Sequence, residues 1–273
     1  MNQRPDFTLN RIMQPALSVT EFIRFAADVG ATGVELRNDL EDPSLLGGET
    51  ADAVRAQCRE SGVRVLTVNA LQRFNDPALF AAKKDELRRM MDEAASVHCP
   101  NIVLCPVNDP GDTRGEAQQR DDLVAALQTY APLFKEFGMT GLVEPLGFGI
   151  CSVRFKAQAV KGIAESGRSD RYKVVHDTFH HFLSGETTYF PGDTGLIHAS
   201  GVYAGKAMED ITDEDRYMVD AEDIMDNRGQ IEALYDGGFD GILAFEPFSS
   251  GIQKLSPEDL ADRIRGSLEV LFA

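Results

Sequence analysis

Short apolar runs alternate with longer helical stretches along the whole chain, and this alternation limits the possible folds more than any other feature. Runs such as Ile102-Val103-Leu104, which follows Asn101, are continuously apolar instead of alternating apolar with polar residues. That pattern is typical of parallel strands buried on both faces. Strands that alternate with helices predict a parallel sheet with helices outside it.

The sequence predicts eight strands. They cover residues 7–12, 33–37, 63–71 and 101–107 and the four short runs that end at Glu144, Asp177, His198 and Glu246. Helices are predicted after Ser18 and at residues 50–60, 77–98, 118–137, 156–166, 221–237 and 257–271, with a loop at 184–194. No Gly-x-Gly-x-x-Gly turn follows a strand, which favours a closed barrel over an open doubly wound sheet. A chain of 273 residues without a Pro-, Gly- or Ser-rich linker suits one (β/α)8 TIM-barrel domain over 1–273.

Four apolar runs in the second half of the chain each end in a side chain that could bind a metal. Three carboxylates (Glu144, Asp177 and Glu246) and one imidazole (His198) suit one divalent ion such as Mn²⁺, Mg²⁺, Co²⁺ or Zn²⁺. In a barrel of this kind the carboxyl ends of the strands surround one mouth, where catalysis takes place. The four positions therefore predict one metal site in an enzyme.

Each of these residues also has a purely structural interpretation. A carboxylate at a strand end is often the N-cap of the next helix, and a lone His in an apolar run is usually a core residue. Pro145 and Pro247 follow the two glutamates directly, which favours extended backbone there over a cap. Glu35 and Arg37 can form an ion pair at the rim of the barrel.

Composition excludes several classes of function. The formal net charge of −17 opposes binding to nucleic acid or to an anionic membrane surface. No apolar run approaches the ~20 residues that cross a bilayer, and the first residues lack the apolar core of a signal peptide. The four cysteines form no C-x-x-C pair. We therefore expect a cytoplasmic protein, and exposed outer helices are compatible with a homo-oligomer.

Glu144-Pro145, Asp177-x-x-His180, His198 and Glu246 together resemble the pattern of xylose-isomerase-like TIM-barrel sugar isomerases and epimerases. Within this group, four short segments are similar to the 2-keto-myo-inositol (inosose) isomerases of inositol catabolism: Val68 to Leu71, Gly147 to Val153, Thr212 to Arg216 and Lys254 to Glu258. One departure is that Tyr217-Met218-Val219-Asp220 follows Arg216 here, whereas relatives often have Pro-Gly-x-Gly.

The resemblance implies a role for each residue of the site. The quartet would hold one divalent ion, and Glu144 and Glu246 would also act as acid and base on opposite faces of the substrate carbon. His180 and Arg216 would bind substrate oxygens, and Glu35, Arg37 and Asn69 would add contacts to a polyol. The implied substrate is a small keto-polyol or sugar.

The same resemblance leaves several activities open. An isomerase would move a carbonyl between adjacent carbons of a keto-inositol through an enediolate. A ketose 3-epimerase, a dehydratase (lyase) or a non-catalytic polyol-binding protein could use the same metal site. The superfamily's three-zinc endonuclease branch is disfavoured, because five histidines and a charge of −17 suit neither its His-rich cluster nor DNA.

Overall fold

The computed structural model describes residues 5–41 and 44–272, in which eight parallel strands close into a barrel in chain order. β1 pairs with both β2 and β8, so the sheet has no free edge. The predicted (β/α)8 fold is confirmed. Met1 to Arg4, Asp42, Pro43 and Ala273 of the predicted 1–273 domain lie outside the described residues, and the single domain stays a prediction.

The strands are β1 Phe7–Asn10, β2 Gly33–Arg37, β3 Arg64–Gln72, β4 Asn101–Cys105, β5 Thr140–Val143, β6 Tyr172–Asp177, β7 Thr194–Ala199 and β8 Ile242–Phe245. The α-helices are α1 Val19–Asp28, α2 Ala51–Ser61, α3 Phe80–Ser96, α4 Glu116–Phe137, α5 Lys156–Ser166, α6 Thr178–Ser184, α7 Asn227–Asp236, α8 Ser250–Gln253 and α9 Pro257–Phe272. Short 3-10 turns lie at Arg11–Met13, Pro77–Leu79, Met208–Asp210 and Asp213–Asp215.

Local sequence signals set many of these boundaries. Ser18 and Glu21 form a capping box that starts α1. α2 and α4 end at Gly62 and Gly138, which adopt the left-handed conformation that glycine tolerates best. The chain therefore turns back toward the next strand directly after each helix.

Several predicted boundaries were wrong for identifiable reasons. The first strand ends at Asn10 instead of residue 12, because the Asn10 side chain accepts a hydrogen bond from the Ile12 N–H and starts a 3-10 turn. The fourth strand ends at Cys105, since Pro106 has no N–H for the sheet. α7 begins at Asn227 instead of 221, because the carboxylate of Asp226 caps it through the Gly229 N–H. Residues 178–184 form a helix that the sequence analysis missed.

Most of the apolar core lies between the strands and the surrounding helices. A second, smaller cluster contains one or two residues from each of six strands: Ala70, Val103, Cys105, Leu142, Val175, Leu196 and Ala244. This second cluster supports the site described below. Within residues 5–41 and 44–272, no helix combines the length and the apolar character needed to cross a membrane.

Candidate active site

The four predicted ligands converge because each follows a residue of the smaller core cluster by two positions. Leu142 precedes Glu144, Val175 precedes Asp177, Leu196 precedes His198 and Ala244 precedes Glu246. Side chains two apart on a strand point to the same face, so a residue that follows an interior residue at this spacing also faces the barrel axis. Four adjacent strands therefore direct four polar side chains to one point above an apolar floor.

The ligand atoms of this quartet form a compact, buried cluster. One atom from each residue lies within 4.8 Å of the other three, and all four residues are buried. The Nδ1 atom of His198 is 2.7 Å from a carboxylate oxygen of Glu144 and 3.1 Å from one of Glu246. Asp177 is slightly farther away, at 4.0 Å from the same nitrogen.

Asp177 caps a helix with one carboxylate oxygen and faces the cluster with the other. One of its oxygens accepts hydrogen bonds from the backbone N–H groups of Phe179 and His180, at 2.8 and 3.3 Å, and so caps α6. Its other oxygen faces the cluster. The helix cap fixes the rotamer of the carboxylate, so a free oxygen is directed at the site.

The cluster fits a divalent ion in size and in charge. Metal–ligand bonds of about 2.0–2.2 Å place opposite ligand atoms about 4.4 Å apart at most, so small side-chain rotations suffice. The buried carboxylates of the region are Glu35, Glu144, Asp177 and Glu246, and the buried guanidinium groups are Arg37 and Arg216. Four negative and two positive charges leave two negative charges, which a divalent cation would neutralise.

Glu35 lies behind His198 and is fully buried. Its carboxylate is 3.1 Å from the Nε2 atom of His198, on the opposite side of the ring from the cluster. It also accepts hydrogen bonds from Asn10 and Asn69 at 2.7 and 3.3 Å. A carboxylate in this position fixes the Nε2–H tautomer and leaves Nδ1 free to bind a metal.

Two arginines surround the cluster and are held by the same aromatic ring. Arg216 donates to Asp177 and Glu246 at 2.6 and 2.9 Å, and Arg37 donates to Glu246 at 2.9 Å. The Phe248 ring centroid lies 4.6 Å from the guanidinium carbon of Arg216 and 5.0 Å from that of Arg37. Both guanidinium groups therefore occupy fixed positions beside one carboxylate.

Burial and neighbouring charges shift the pKa values of the cluster in different directions. Burial alone lowers the pKa of His198, but Glu246, Glu35 and Glu144 together raise it well above its usual value. Burial raises the pKa of Asp177 against the opposing effect of Arg216. For Glu246, burial is outweighed by His198 and Arg216, and its pKa falls well below the usual range.

A cavity of about 390 Å³ opens above the cluster. Its walls include Glu144, Glu246, Arg37, Arg216, Asn69 and His180. Asp177, His198 and Glu35 lie beneath it and are not part of its lining. The predicted residues therefore separate into a layer that faces the cavity and a layer that supports it.

His180 is held at the cavity wall as a neutral imidazole. The rings of Phe148 and Phe179 pack edge-on against the imidazole, with centroid-to-centroid distances of 5.3 and 5.1 Å. Burial, followed by the charge of Arg216, lowers its pKa to about 4. Its Nδ1 atom has no hydrogen-bond partner among the described residues. A neutral ring can either donate or accept a hydrogen bond.

Sequence reasoning missed several residues that contact the predicted set, and Asn10, Cys105 and Phe248 are three of them. Asn10 donates to both Glu35 and Glu246, the Cys105 thiol lies 3.4 Å from Glu144, and Phe248 contacts both Arg37 and Arg216. Asn10 and Cys105 each end a strand, so strand position could have indicated them. Phe248 lies in a loop, and its sequence carries no comparable signal.

Three carboxylates and one imidazole converge at the mouth of a closed (β/α)8 barrel. This arrangement defines a class of TIM barrels that could bind one divalent ion beside a small molecule. Comparison with known families agrees with this class. The chain belongs to the xylose isomerase-like TIM barrel family, which matches residues 23–272. Membership of this sugar-modifying family indicates an enzyme with a small-molecule substrate.

Three solved structures illustrate the relationship. A xylose isomerase domain-containing protein from Salmonella typhimurium LT2 is 34% identical, with 100% of both chains covered and a TM-score of 0.91. The IolI protein, solved with a bound zinc atom, is 19% identical over 97% of this chain and 98% of its own, with a TM-score of 0.88. A D-allulose 3-epimerase from Methylomonas sp. is 17% identical over 98% of this chain and 97% of its own, with a TM-score of 0.73. No curated protein matches the sequence.

Proposed function

We propose that this protein is a divalent-metal-dependent isomerase that moves a carbonyl between adjacent carbons of a keto-inositol or a similar polyol. The observation that carries the proposal is the position of Glu144 and Glu246, which both contact the Nδ1 atom of His198 and both line the cavity. Two carboxylates beside one metal site can exchange protons with adjacent substrate carbons.

The ion would be held by Glu144, Asp177, His198 and Glu246. When bound, a divalent ion polarises a carbonyl and stabilises the negative charge of an enediolate. Zinc is compatible with the mixed carboxylate and imidazole donors, as are manganese, cobalt and magnesium. The zinc atom in the IolI structure supports metal binding by a barrel of this fold.

The two glutamates differ in the number of groups that hold them. Glu246 accepts hydrogen bonds from Asn10, Arg37 and Arg216. Among the described residues, the Glu144 side chain has hydrogen bonds or ion pairs only with His198 and the Cys105 thiol. Because Glu246 already accepts three hydrogen bonds, we assign to Glu144 the removal of the proton α to the carbonyl. Glu246 then takes the complementary role on the other face of the substrate.

The remaining residues of the cavity wall would position the substrate. Arg216 and Arg37 present fixed cationic donors beside Glu246, which suits the negative oxygen that develops during proton removal. The neutral His180 ring and the Asn69 amide suit the hydroxyl groups of a polyol. Glu35 would act through His198 instead of contacting the substrate.

Deuterium exchange tests the proposal. The metal-loaded protein is incubated in D₂O with inosose and, separately, with fructose or tagatose. We expect deuterium at the carbon next to the carbonyl of inosose, followed by a shifted carbonyl. Inversion at C3 of a ketose without a shift would indicate an epimerase, and loss of water would indicate a lyase. The absence of exchange with every ketone would refute all three activities.

Variants of the two glutamates connect the activity to this site. Glu144→Gln and Glu246→Gln should each abolish exchange, whereas Glu116→Gln, an exposed carboxylate on α4, should leave it unchanged. Metal content is measured for each variant by elemental analysis, because both glutamates are also proposed ligands. A Glu246→Gln protein that retains activity within a few-fold of the parent would contradict its assigned role.

A further inference from the structure

A second cavity, of about 480 Å³, lies at the amino-terminal end of the barrel. It is bounded by the last turn of α2, the beginning of β3 and the segment that follows α3. Its inner wall is apolar and is formed largely by Val63, Val65, Leu66 and Val97. β3 contributes Arg64 to Leu66 here and Asn69 to the active-site cavity, so the two cavities lie at opposite ends of the same strand.

All of the charged side chains at the rim of this cavity are arginines. Arg55, Arg59 and Arg64 line it, and no carboxylate does. The chain as a whole has 44 acidic and 27 basic residues. A cavity wall with three arginines and no carboxylate therefore has the opposite charge to the chain as a whole. In a strongly acidic protein such a wall attracts anions locally against the overall charge.

Two of the three arginines have their guanidinium groups available. Arg55 is already engaged by the Asp52 carboxylate and the Ser96 carbonyl. The guanidinium groups of Arg59 and Arg64 have no ion-pair or hydrogen-bond partner in residues 5–41 and 44–272, and both residues are exposed. Arg88 on α3, by contrast, pairs with Glu136 through two hydrogen bonds.

We propose that this cavity binds a small organic anion in which a carboxylate or a phosphate monoester is joined to a short apolar group. The anionic group would lie between Arg59 and Arg64, since guanidinium groups match the planar geometry of carboxylate and phosphate oxygens. The apolar group would cover the valine-rich wall. An apolar cavity with a few convergent polar groups is typical of small-molecule sites.

Calorimetry with octyl phosphate tests this site directly. Octyl phosphate should bind at one site per chain, and both octyl glucoside and inorganic phosphate should bind at least tenfold more weakly, because each lacks one half of the recognised chemistry. The double variant Arg59→Gln/Arg64→Gln should lose at least tenfold in affinity. The control variant Arg228→Gln/Arg265→Gln removes two exposed arginines from α7 and α9 and should bind like the parent.

Cys58 provides an independent measurement inside the cavity. It lines the wall and is half-buried, whereas the other three cysteines are buried. Alkylation of Cys58 by the anion iodoacetate is compared with alkylation by neutral iodoacetamide, and peptide mass spectrometry identifies the site. Burial raises the pKa of the Cys58 thiol and slows both reagents alike, so the ratio of rates reports on the arginines.

The expected results are specific to the proposed site. Arg59→Gln/Arg64→Gln should reduce the iodoacetate-to-iodoacetamide ratio several-fold, and octyl phosphate should protect Cys58 in the parent protein. Equal octyl phosphate affinity in the two double variants, or unprotected Cys58 at saturating octyl phosphate, would overturn the proposal. None of these measurements depends on the metal cluster, so the result is independent of the proposed isomerase activity.

Discussion

Neutralising Glu35 should weaken metal binding although Glu35 belongs to neither the proposed ligand set nor the cavity wall. The carboxylate of Glu35 contacts the Nε2 atom of His198 at 3.1 Å, and Nδ1 of the same ring faces the cluster. Glu35→Gln keeps the size of the side chain and removes its charge. The Nε2–H group then donates to a neutral amide oxygen, so Nδ1 becomes a weaker base and a weaker metal ligand.

The magnitude follows from the position of Glu35 in the second layer of the site. Loss of such a partner typically costs 10–100-fold in metal affinity, or about 1.4–2.7 kcal/mol. Titration calorimetry of the metal-free protein with MnCl₂ and ZnCl₂ measures this change. Thermal unfolding at saturating metal gives a second measure, because the stabilisation depends on the logarithm of the ratio of metal concentration to Kd.

A matched control separates this effect from the general cost of neutralising a buried carboxylate. Asp122 on α4 is also buried, and it accepts hydrogen bonds from Gln118 on the same helix and from Arg114, which precedes the helix. Asp122→Asn should reduce the free energy of unfolding and leave metal affinity within twofold of the parent. If Glu35→Gln binds both metals within twofold of the parent, the assigned role of Glu35 is wrong.

Two further predictions concern the proton on His198 and the position of His180. Nearby carboxylates raise the pKa of His198, so a binding ion must displace a proton from its ring. The metal affinity measured by calorimetry should therefore rise by up to about tenfold per pH unit from about pH 6 to 8. An affinity that does not change with pH would contradict this. A Cβ at Gly147 would lie 2.1 Å from the His180 carbonyl oxygen. Gly147→Ala should therefore lower the free energy of unfolding in urea by about 1–3 kcal/mol and raise KM. The control Gly149→Ala, which has open space around the added Cβ, should change neither quantity.

The barrel could be predicted because its signals are local and repeated. Each strand is a short apolar run, and the second to fourth strands alternate with helices that begin or end at recognisable residues such as Thr50, Gly62 and Gly138. α6 could not be predicted because it has only seven residues and begins directly after β6, at Asp177, whose carboxylate suits both a helix cap and a metal site. The alternation of strand and helix still fixed the correct order of strands, since consecutive parallel strands joined by helices normally lie side by side.

The site could be predicted only as far as strand ends indicate it. The four predicted ligands each lie within one residue of a strand end, so their convergence follows from the barrel. The layer behind them could not be read in the same way, because Glu35, Arg37 and Asn69 also lie near strand ends and the sequence does not show which of them reach the cavity. The structure distinguishes them by depth: Glu35 supports His198, whereas Arg37 and Asn69 line the cavity.

The buried charges of this region connect its stability with its proposed metal. Two negative charges remain when the buried guanidinium groups are set against the buried carboxylates, and a proton on His198 offsets only one of them. A raised pKa in the folded state means that this contribution is complete below about pH 6.5 and is lost as the pH rises through the folded value. A divalent ion would offset both charges and would bind more tightly in the same pH range, because the competing proton is leaving. Metal should therefore stabilise the protein most where the metal-free form is weakest.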